Sequence, residues 1–434
     1  MKFLKQVCVA IFTLGLIATT AEAGVPPNDI FRNWYKLTLE LVRHTATYTP
    51  PVASRSFAYL SIAAFEATAS GKSSLHSLAG QLQSMPSAPQ RDKAKTYDEA
   101  IIMQATLAIM VENLFSNTGP TGQRAIAAFA RKSQREAAAG VARDVAERSA
   151  LFGRQVADNI LKWSMDDGGA VIQTMGFSND YVLTKGPAHW VPTNTVNLQQ
   201  KPLLPNWGNN RSFAMPNGAT CQLPAPPSYS EDVHSEFYKQ ALEVVETKRN
   251  LTPEQKAIAK FWADDAMLTV TPPGHWISIA FQILEKENAD ADKTADVLAR
   301  LSIAEADAFI GCWNGKFQYD LLRPITYIKR VMDPKWEPLL NTPPFPEYPS
   351  GHSTQSAAAA LVLTQIYGDN FAFTDSTGTK DGLKPRSFKS FFAAADEAGI
   401  SRLYGGIHYR AAIEQGLLQG RCIGAFAIAL KTRK

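Results

Sequence analysis

A chain of 434 residues with 45% hydrophobic content can bury one large core or two fused ones. Its 44 Lys and Arg against 40 Asp and Glu leave a formal charge of +4, spread without a dense basic run, which excludes nucleic-acid binding driven by charge alone. At the N-terminus Lys2 and Lys5 precede an apolar run from Val7 to Ala18, and Ala21-Glu22-Ala23 follows as a small-x-small cleavage site. The pattern predicts a signal peptide over 1–23 and an exported chain, periplasmic or secreted, that begins at Gly24. The run is too short to span a bilayer, and no later stretch is apolar for long enough, so no membrane span is expected in the mature chain.

Apolar residues at helical spacing mark 30–41 and 53–70, then 96–115 and an Ala-rich 124–165 that is expected to break near Gly140. Pro and Gly dominate 168–227, which reads as a long irregular connection of the kind that carries function or wraps a surface. At its start Asp166-Asp167-Gly168-Gly169 resembles a calcium loop but lacks the later ligand spacing, so it reads as a helix end. Helices resume over 230–248. Thr252-Pro253-Glu254-Gln255 then supplies an N-cap, a Pro at the first helical position and a capping-box Gln, opening a helix expected to reach about Met267. Further segments follow at 275–286, 291–322, 353–367, 386–398 and 408–432, the last apolar on most faces and expected to be central. No period-2 run of strand length intervenes. The expectation is an all-α helical bundle acting as one functional unit over 24–434: N-terminal helices 28–168, the connection 168–227, and a C-terminal bundle 230–434. Cys221, Cys312 and Cys422 allow one disulfide at most; a core this size needs none, and three buried or half-buried thiols are expected.

Three segments of the last third carry chemistry. Lys316 and Arg323 are seven residues apart, two helical turns, which predicts one shared helix face with Pro324 ending the helix. Alone, such a pair is ordinarily a solvated stripe. Pro349-Ser350-Gly351-His352 opens an apolar helix, and its free backbone N–H groups and dipole suit an anion, although a plain cap with a surface His would read the same. Ser401-Arg402 and Gly405-Gly406 lead to His408, with the paired glycines allowing a tight turn near a ligand. His44, His76, His189 and His234 lack partners at metal spacing, no zinc motif is present, and His275 is expected to face solvent or the mouth of a pocket.

Taken together and in this order, Lys-x6-Arg-Pro, Pro-Ser-Gly-His and Ser-Arg-x5-His resemble the signature shared by vanadium haloperoxidases and the type-2 phosphatidic acid phosphatase superfamily. The resemblance implies an α-helical bundle around a tetrahedral oxyanion. Lys316, Arg323, Arg402, Ser350 and the Gly351 N–H would hold its oxygens, His408 would be the axial ligand to vanadium, and His352 the acid–base. The implied cofactor is one vanadate per chain, without haem or nucleotide; the implied partners are hydrogen peroxide, a halide and an organic acceptor. Phe261 to Asp265 with Thr271-Pro272-Pro273 looks like the matching helix and turn of vanadium chloroperoxidases, where Asp265 would pair with and orient Arg402, or Asp264 after a one-residue slip. Trp313 and Phe345 occupy positions that line the halide pocket in those enzymes, and ordinary packing would explain them equally well. Trp207-Gly208 and Pro50-Pro51 before Ala53-Ser54-Arg55 also look like the bacterial haloperoxidase-like branch.

The same residues would serve a periplasmic acid phosphatase, with His408 attacking phosphorus. That signature places an Asp four residues after its last His, and here the position is Ala412, which weakens the phosphatase reading unless Glu414 or a carbonyl orients the ring. A catalytically silent oxyanion-binding protein is the third reading.

Overall fold

The computed structural model describes residues 24–433 except 175, 179 and 194–200. The expected signal peptide over 1–23 lies outside the described residues. Helices α1 (Pro27–Arg43), α2 (Pro50–Ala69), α3 (Glu99–Leu114), α4 (Pro120–Ala138), α5 (Arg143–Ser164) and a single-turn α6 (Gly169–Ile172) form the first half. Gly140, at φ 75°, separates α4 from α5, where the break was expected. Helices α7 (Glu236–Arg249), α8 (Pro253–Phe261), α9 (Thr271–Lys286), α10 (Ala291–Tyr319), α11 (Pro324–Val331) and α12 (Gly351–Tyr367) follow. Strands β1 (Phe373–Asp375) and β2 (Arg386–Phe388) then pair antiparallel, and α13 (Phe391–Tyr404) and α14 (Arg410–Ile428) close the fold.

Local rules account for most of these limits. The capping box at Thr252 and Gln255 forms as expected, with Pro253 at the first helical position. Every residue of α2 from Pro51 to Thr68 is buried, and α10 is buried over most of its 29 residues, so these two form the axis of the bundle. One core runs from Ile30 to Leu430 and joins both halves of the chain. The last helix is not the central one: α14 buries a single face.

That face carries Gly416, Gly420 and Gly424 at helical spacing, flanked by Ile413, Gln419 and Ile423. A Cβ at Gly416 would lie 2.9 Å from the Ser350 carbonyl oxygen, and one at Gly420 would collide with the Thr354 carbonyl. Glycine at these positions lets α14 lie against α12 main chain to main chain.

Several expectations are corrected. The helix expected over 386–398 starts at Phe391, because Arg386–Phe388 forms a strand opposite Phe373–Asp375. Two three-residue strands are too short to leave an alternation in the sequence. Helix α8 ends at Phe261, short of Met267, and the chain turns through Asp264 at φ 50°. The reading of Pro324 is reversed: α10 stops at Tyr319, Asp320 takes a left-handed conformation, and Pro324 opens α11 behind Arg323 as N-cap.

The long connection wraps the bundle and is pinned by buried charge. Both Asp307 carboxylate oxygens accept from the successive N–H groups of Phe213, Ala214 and Met215. Asp167, just past the end of α5, pairs with Arg55 at 2.5 Å and accepts from Tyr59, which explains the acidic motif without calcium. The expectation of three thiols fails: Cys221 and Cys422 are bonded, and Cys312 is a buried free thiol. Core size does not decide the matter, because the connection has little regular structure of its own and the bridge ties it to α14. Replacing Cys422 by Ser is expected to lower unfolding free energy by about 2–4 kcal/mol, read by chemical denaturation. Unchanged stability would mean that the bridge is not formed.

Candidate active site

Five segments bring the charged residues of the last third into one buried cluster. Lys316 comes from the last turn of α10, Arg323 from the cap of α11, Ser350 to His352 from the start of α12, Arg402 from the last turn of α13, and His408 from the turn before α14. Gly406, at φ 77°, makes that turn possible. Lys316, Arg323 and Ser350 are 0% exposed, Arg402 is 1% and His408 3%, so none is a solvated stripe.

Arg323 Nη1 lies 3.0 Å from His408 Nε2 and also donates to the Ile407 carbonyl, while its Nε donates to the Phe345 carbonyl. Arg402 Nη1 lies 2.9 Å from His352 Nε2 and also donates to the Trp262 carbonyl. Lys316 Nζ donates to the carbonyls of Pro346, Glu347 and Pro349, which anchors the approach to the Ser-Gly-His turn. Ser350 caps α12 by accepting from the Ser353 N–H, leaving its hydroxyl hydrogen free to donate. Arg323 Nη2 and Arg402 Nε are buried without an acceptor. Two guanidinium N–H groups so placed, with a third cation beside them, suit an oxyanion, because donors buried without partners are costly.

Burial and charge crowding show in the titration of these groups. Burial, with Arg323 adding to it, pulls the Lys316 ammonium down to about 7. Burial lowers the Arg323 and Arg402 guanidiniums to about 10. Burial and Arg402 hold His352 down at about 4, and burial with Arg323 and Lys316 holds His408 well below its ordinary value. Both imidazoles are therefore neutral at pH 7. An anion among the cations would reverse part of each shift.

The sequence reading missed one partner of His408. Glu347 is 0% exposed, and its Oε1 accepts from His408 Nδ1 at 2.8 Å and from the Tyr409 N–H at 2.8 Å. A carboxylate on Nδ1 puts the ring hydrogen there and leaves a lone pair on Nε2, facing the pocket. Glu414, the candidate named from sequence, instead lies 3.8 Å from Arg410 on the exposed side of α14. The carboxylate missing at Ala412 thus arrives from the opposite side of the ring, out of the Phe345-Pro346-Glu347 segment. Its signal in the sequence was an acid two residues before the Pro-Ser-Gly-His motif. Replacing Glu347 by Gln is expected to weaken vanadate affinity by about 10–100-fold, measured by equilibrium dialysis. An unaltered affinity would deny it any hold on the ring.

Asp265 is exposed and makes no ion pair within 4 Å of Arg402 among the described residues. It acts on that guanidinium only through its charge: against the larger effect of burial, it pulls the Arg402 pKa up and Arg402 pulls its own down. The left-handed backbone at Asp264 turns that carboxylate inward instead, 3.7 Å from His352 Nε2. His275 neither faces solvent nor lines a mouth: it is 2% exposed and bonded to Asp264. Trp313 and Phe345 do meet, ring centroids 4.9 Å apart, with Lys316 Nζ 5.1 Å from the Phe345 centroid and Arg323 Cζ also 5.1 Å from it. They form an aromatic wall beside the cations.

Residues 296–434 match the family model described as the VCPO second helical-bundle domain. Over 94% of this chain and 97% of the other, the fold superposes with TM-score 0.86 and 36% identity on the crystal structure described as the first bacterial vanadium-dependent iodoperoxidase. The chain belongs to the vanadium-dependent haloperoxidases. A holo-type bacterial vanadium-dependent chloroperoxidase shares the fold at TM-score 0.69 and 15% identity, over 89% of this chain and 94% of that one. The vanadium chloroperoxidase of Curvularia inaequalis is 27% identical over 225 residues, 38% of this chain and 37% of that protein's length. The match to this curated haloperoxidase thus spans little more than a third of it.

Proposed function

We propose that this protein is an exported haloperoxidase that holds one vanadate and uses hydrogen peroxide to oxidise a halide to a hypohalous-acid-type species, which then halogenates an organic acceptor. One observation carries the reading: Lys316, Arg323 and Arg402 meet in a buried cluster with two guanidinium nitrogens unsatisfied, beside an imidazole whose Nδ1 is held by Glu347 and whose Nε2 lone pair accepts from Arg323. Vanadate, when bound, supplies a Lewis-acidic centre that activates peroxide without changing oxidation state.

The chain does the rest. Arg323 Nη2, Arg402 Nε, the Ser350 hydroxyl and the Gly351 N–H would hold the oxyanion's oxygens, with Lys316 adding positive charge. His408 would ligate the metal through Nε2 in place of its contact with Arg323, its ring fixed by Glu347. His352 is neutral and takes a proton at Nε2, where the resulting imidazolium charge lies 3.7 Å from the Asp264 carboxylate. Trp313 and Phe345 give a large, weakly hydrated halide an apolar edge near cations. Export is supported by the signal-peptide pattern of residues 1–23, and by a disulfide, which persists in oxidising compartments.

The test is halogenation of a β-diketone by purified protein with vanadate, peroxide and iodide, bromide or chloride, run beside p-nitrophenyl phosphate hydrolysis without vanadate. Halogenation that requires vanadate and is inhibited by phosphate is expected. Phosphate hydrolysis with no halide oxidised would establish the phosphatase reading in its place.

A further inference from the structure

Next to the oxyanion pocket lies a second buried charged cluster. His275, in the second turn of α9, faces a carboxylate at each ring nitrogen. Its Nδ1 is 2.9 Å from Asp264 Oδ1 and 3.1 Å from Oδ2, and its Nε2 is 2.8 Å from Asp375 Oδ2. A neutral imidazole has one N–H and one lone pair, so one contact would set a lone pair against a carboxylate. With both carboxyls ionised, as the lowered pKa of each beside His275 has it, both contacts are satisfied only when both nitrogens carry hydrogen. Burial alone would lower the pKa of this ring, but the Asp264 and Asp375 carboxylates raise it to about 10.

Among the described residues, the titratable neighbours on α10 and α12 do not compete for that charge. Glu305, on α10, is fully buried with neither oxygen partnered, and burial pushes its carboxyl well up, so it is neutral. His352, on α12, is neutral as described above. Trp262 stacks on the His275 ring with centroids 4.6 Å apart, its carbonyl accepts from Arg402, and its Nε1 donates to Glu397. Glu397 in turn pairs with Arg386 of β2, while Asp375 ends β1. The small hairpin therefore reaches the acidic loop indirectly along two routes, from Asp375 through His275 to Asp264 and from Arg386 through Glu397 to Trp262.

That loop is strained. Asp264, Met267 and Thr271 have φ of 50°, 67° and 64°, and Thr271 is both β-branched and buried. Strain and buried charge together lower stability relative to an apolar filling, a combination retained where the groups have work to perform.

We propose that His275 is a permanently charged positioning residue, clamped by Asp375 of the hairpin, that keeps the Asp264 carboxylate ionised and turned toward His352 and Arg402. The catalytic consequence rests on the haloperoxidase reading; the charge on His275 does not. Removing Asp375 loosens the clamp without touching the vanadate site.

Two measurements test this on the full chain. The first is NMR of ring nitrogens in protein labelled with 15N-histidine, the His275 signals being those lost in His275→Gln. Both nitrogens of His275 are expected to carry protons at pH 8, and a singly protonated ring there would overturn the proposal. The second is kinetics of Asp375→Asn, which keeps size and an acceptor but loses the charge. Its kcat for halide oxidation is expected to fall about tenfold or more, with KM for halide changed less than about twofold. Wild-type kcat in that variant would equally overturn the proposal. Should the variant not fold, the NMR result on the unaltered protein decides. Failure of the unaltered protein to oxidise halide would instead remove the haloperoxidase reading and leave the His275 measurement standing.

Discussion

His408→Ala is expected to cost the protein its vanadate. Its imidazole turns Nε2 to Arg323 while Glu347 fixes its other nitrogen, a buried carboxylate hold on Nδ1. Loss of a group that merely orients a metal ligand weakens affinity by about 10–100-fold, so loss of the ligand itself should reach the top of that range or beyond. Equilibrium dialysis of the apo protein reads the affinity, and halogenation at saturating peroxide reads the activity, which should vanish. His408 lies in a turn between helices, so circular dichroism should show the helices intact. A variant that still binds vanadate like the parent would show that His408 is not a ligand.

His352→Ala separates proton transfer from oxyanion binding. His352 touches the pocket through Arg402, and the remaining cations do not depend on it. A fall in kcat of about 10²–10⁴-fold is expected, the range typical of losing a positioned acid–base. Vanadate affinity should change far less than in His408→Ala. Equal losses of affinity in the two variants would mean that both histidines hold the oxyanion and neither is set apart to move protons.

The parts legible in the sequence are those governed by local rules. The capping box at Thr252, the small-residue start of α12 at Ser350-Gly351 and the break at Gly140 each follow from neighbours within a few positions. The motif order brought Lys316, Arg323, Ser350, Gly351, His352, Arg402 and His408 together, and the structure gathers all seven around one pocket. Their local settings were harder to read. Arg323 sits on the cap of a new helix because Pro324 starts α11, and a proline after a helical run looks the same whether it ends one helix or begins the next.

What periodicity could not reveal are the long-range partners. Glu347 and His408 are 61 residues apart, and His275 and Asp375 are 100 apart, so neither pair leaves a spacing signal. Cys221 and Cys422 are 201 apart, and their pairing depends on where the irregular connection settles on the bundle. Asp264 and Asp265 differ by one position, and a single left-handed residue decides which of them turns inward.

The glycine face of α14 has one further consequence. Gly416 meets the carbonyl of Ser350, the residue at which the anion-binding turn begins, and the chain bearing His408 leads straight into the same helix. The gap between the two histidine-bearing segments is thus gauged by peptide groups in contact, which have no rotamers to exchange. A cradle set by main-chain contact owes its width to the backbone rather than to the side chains around it.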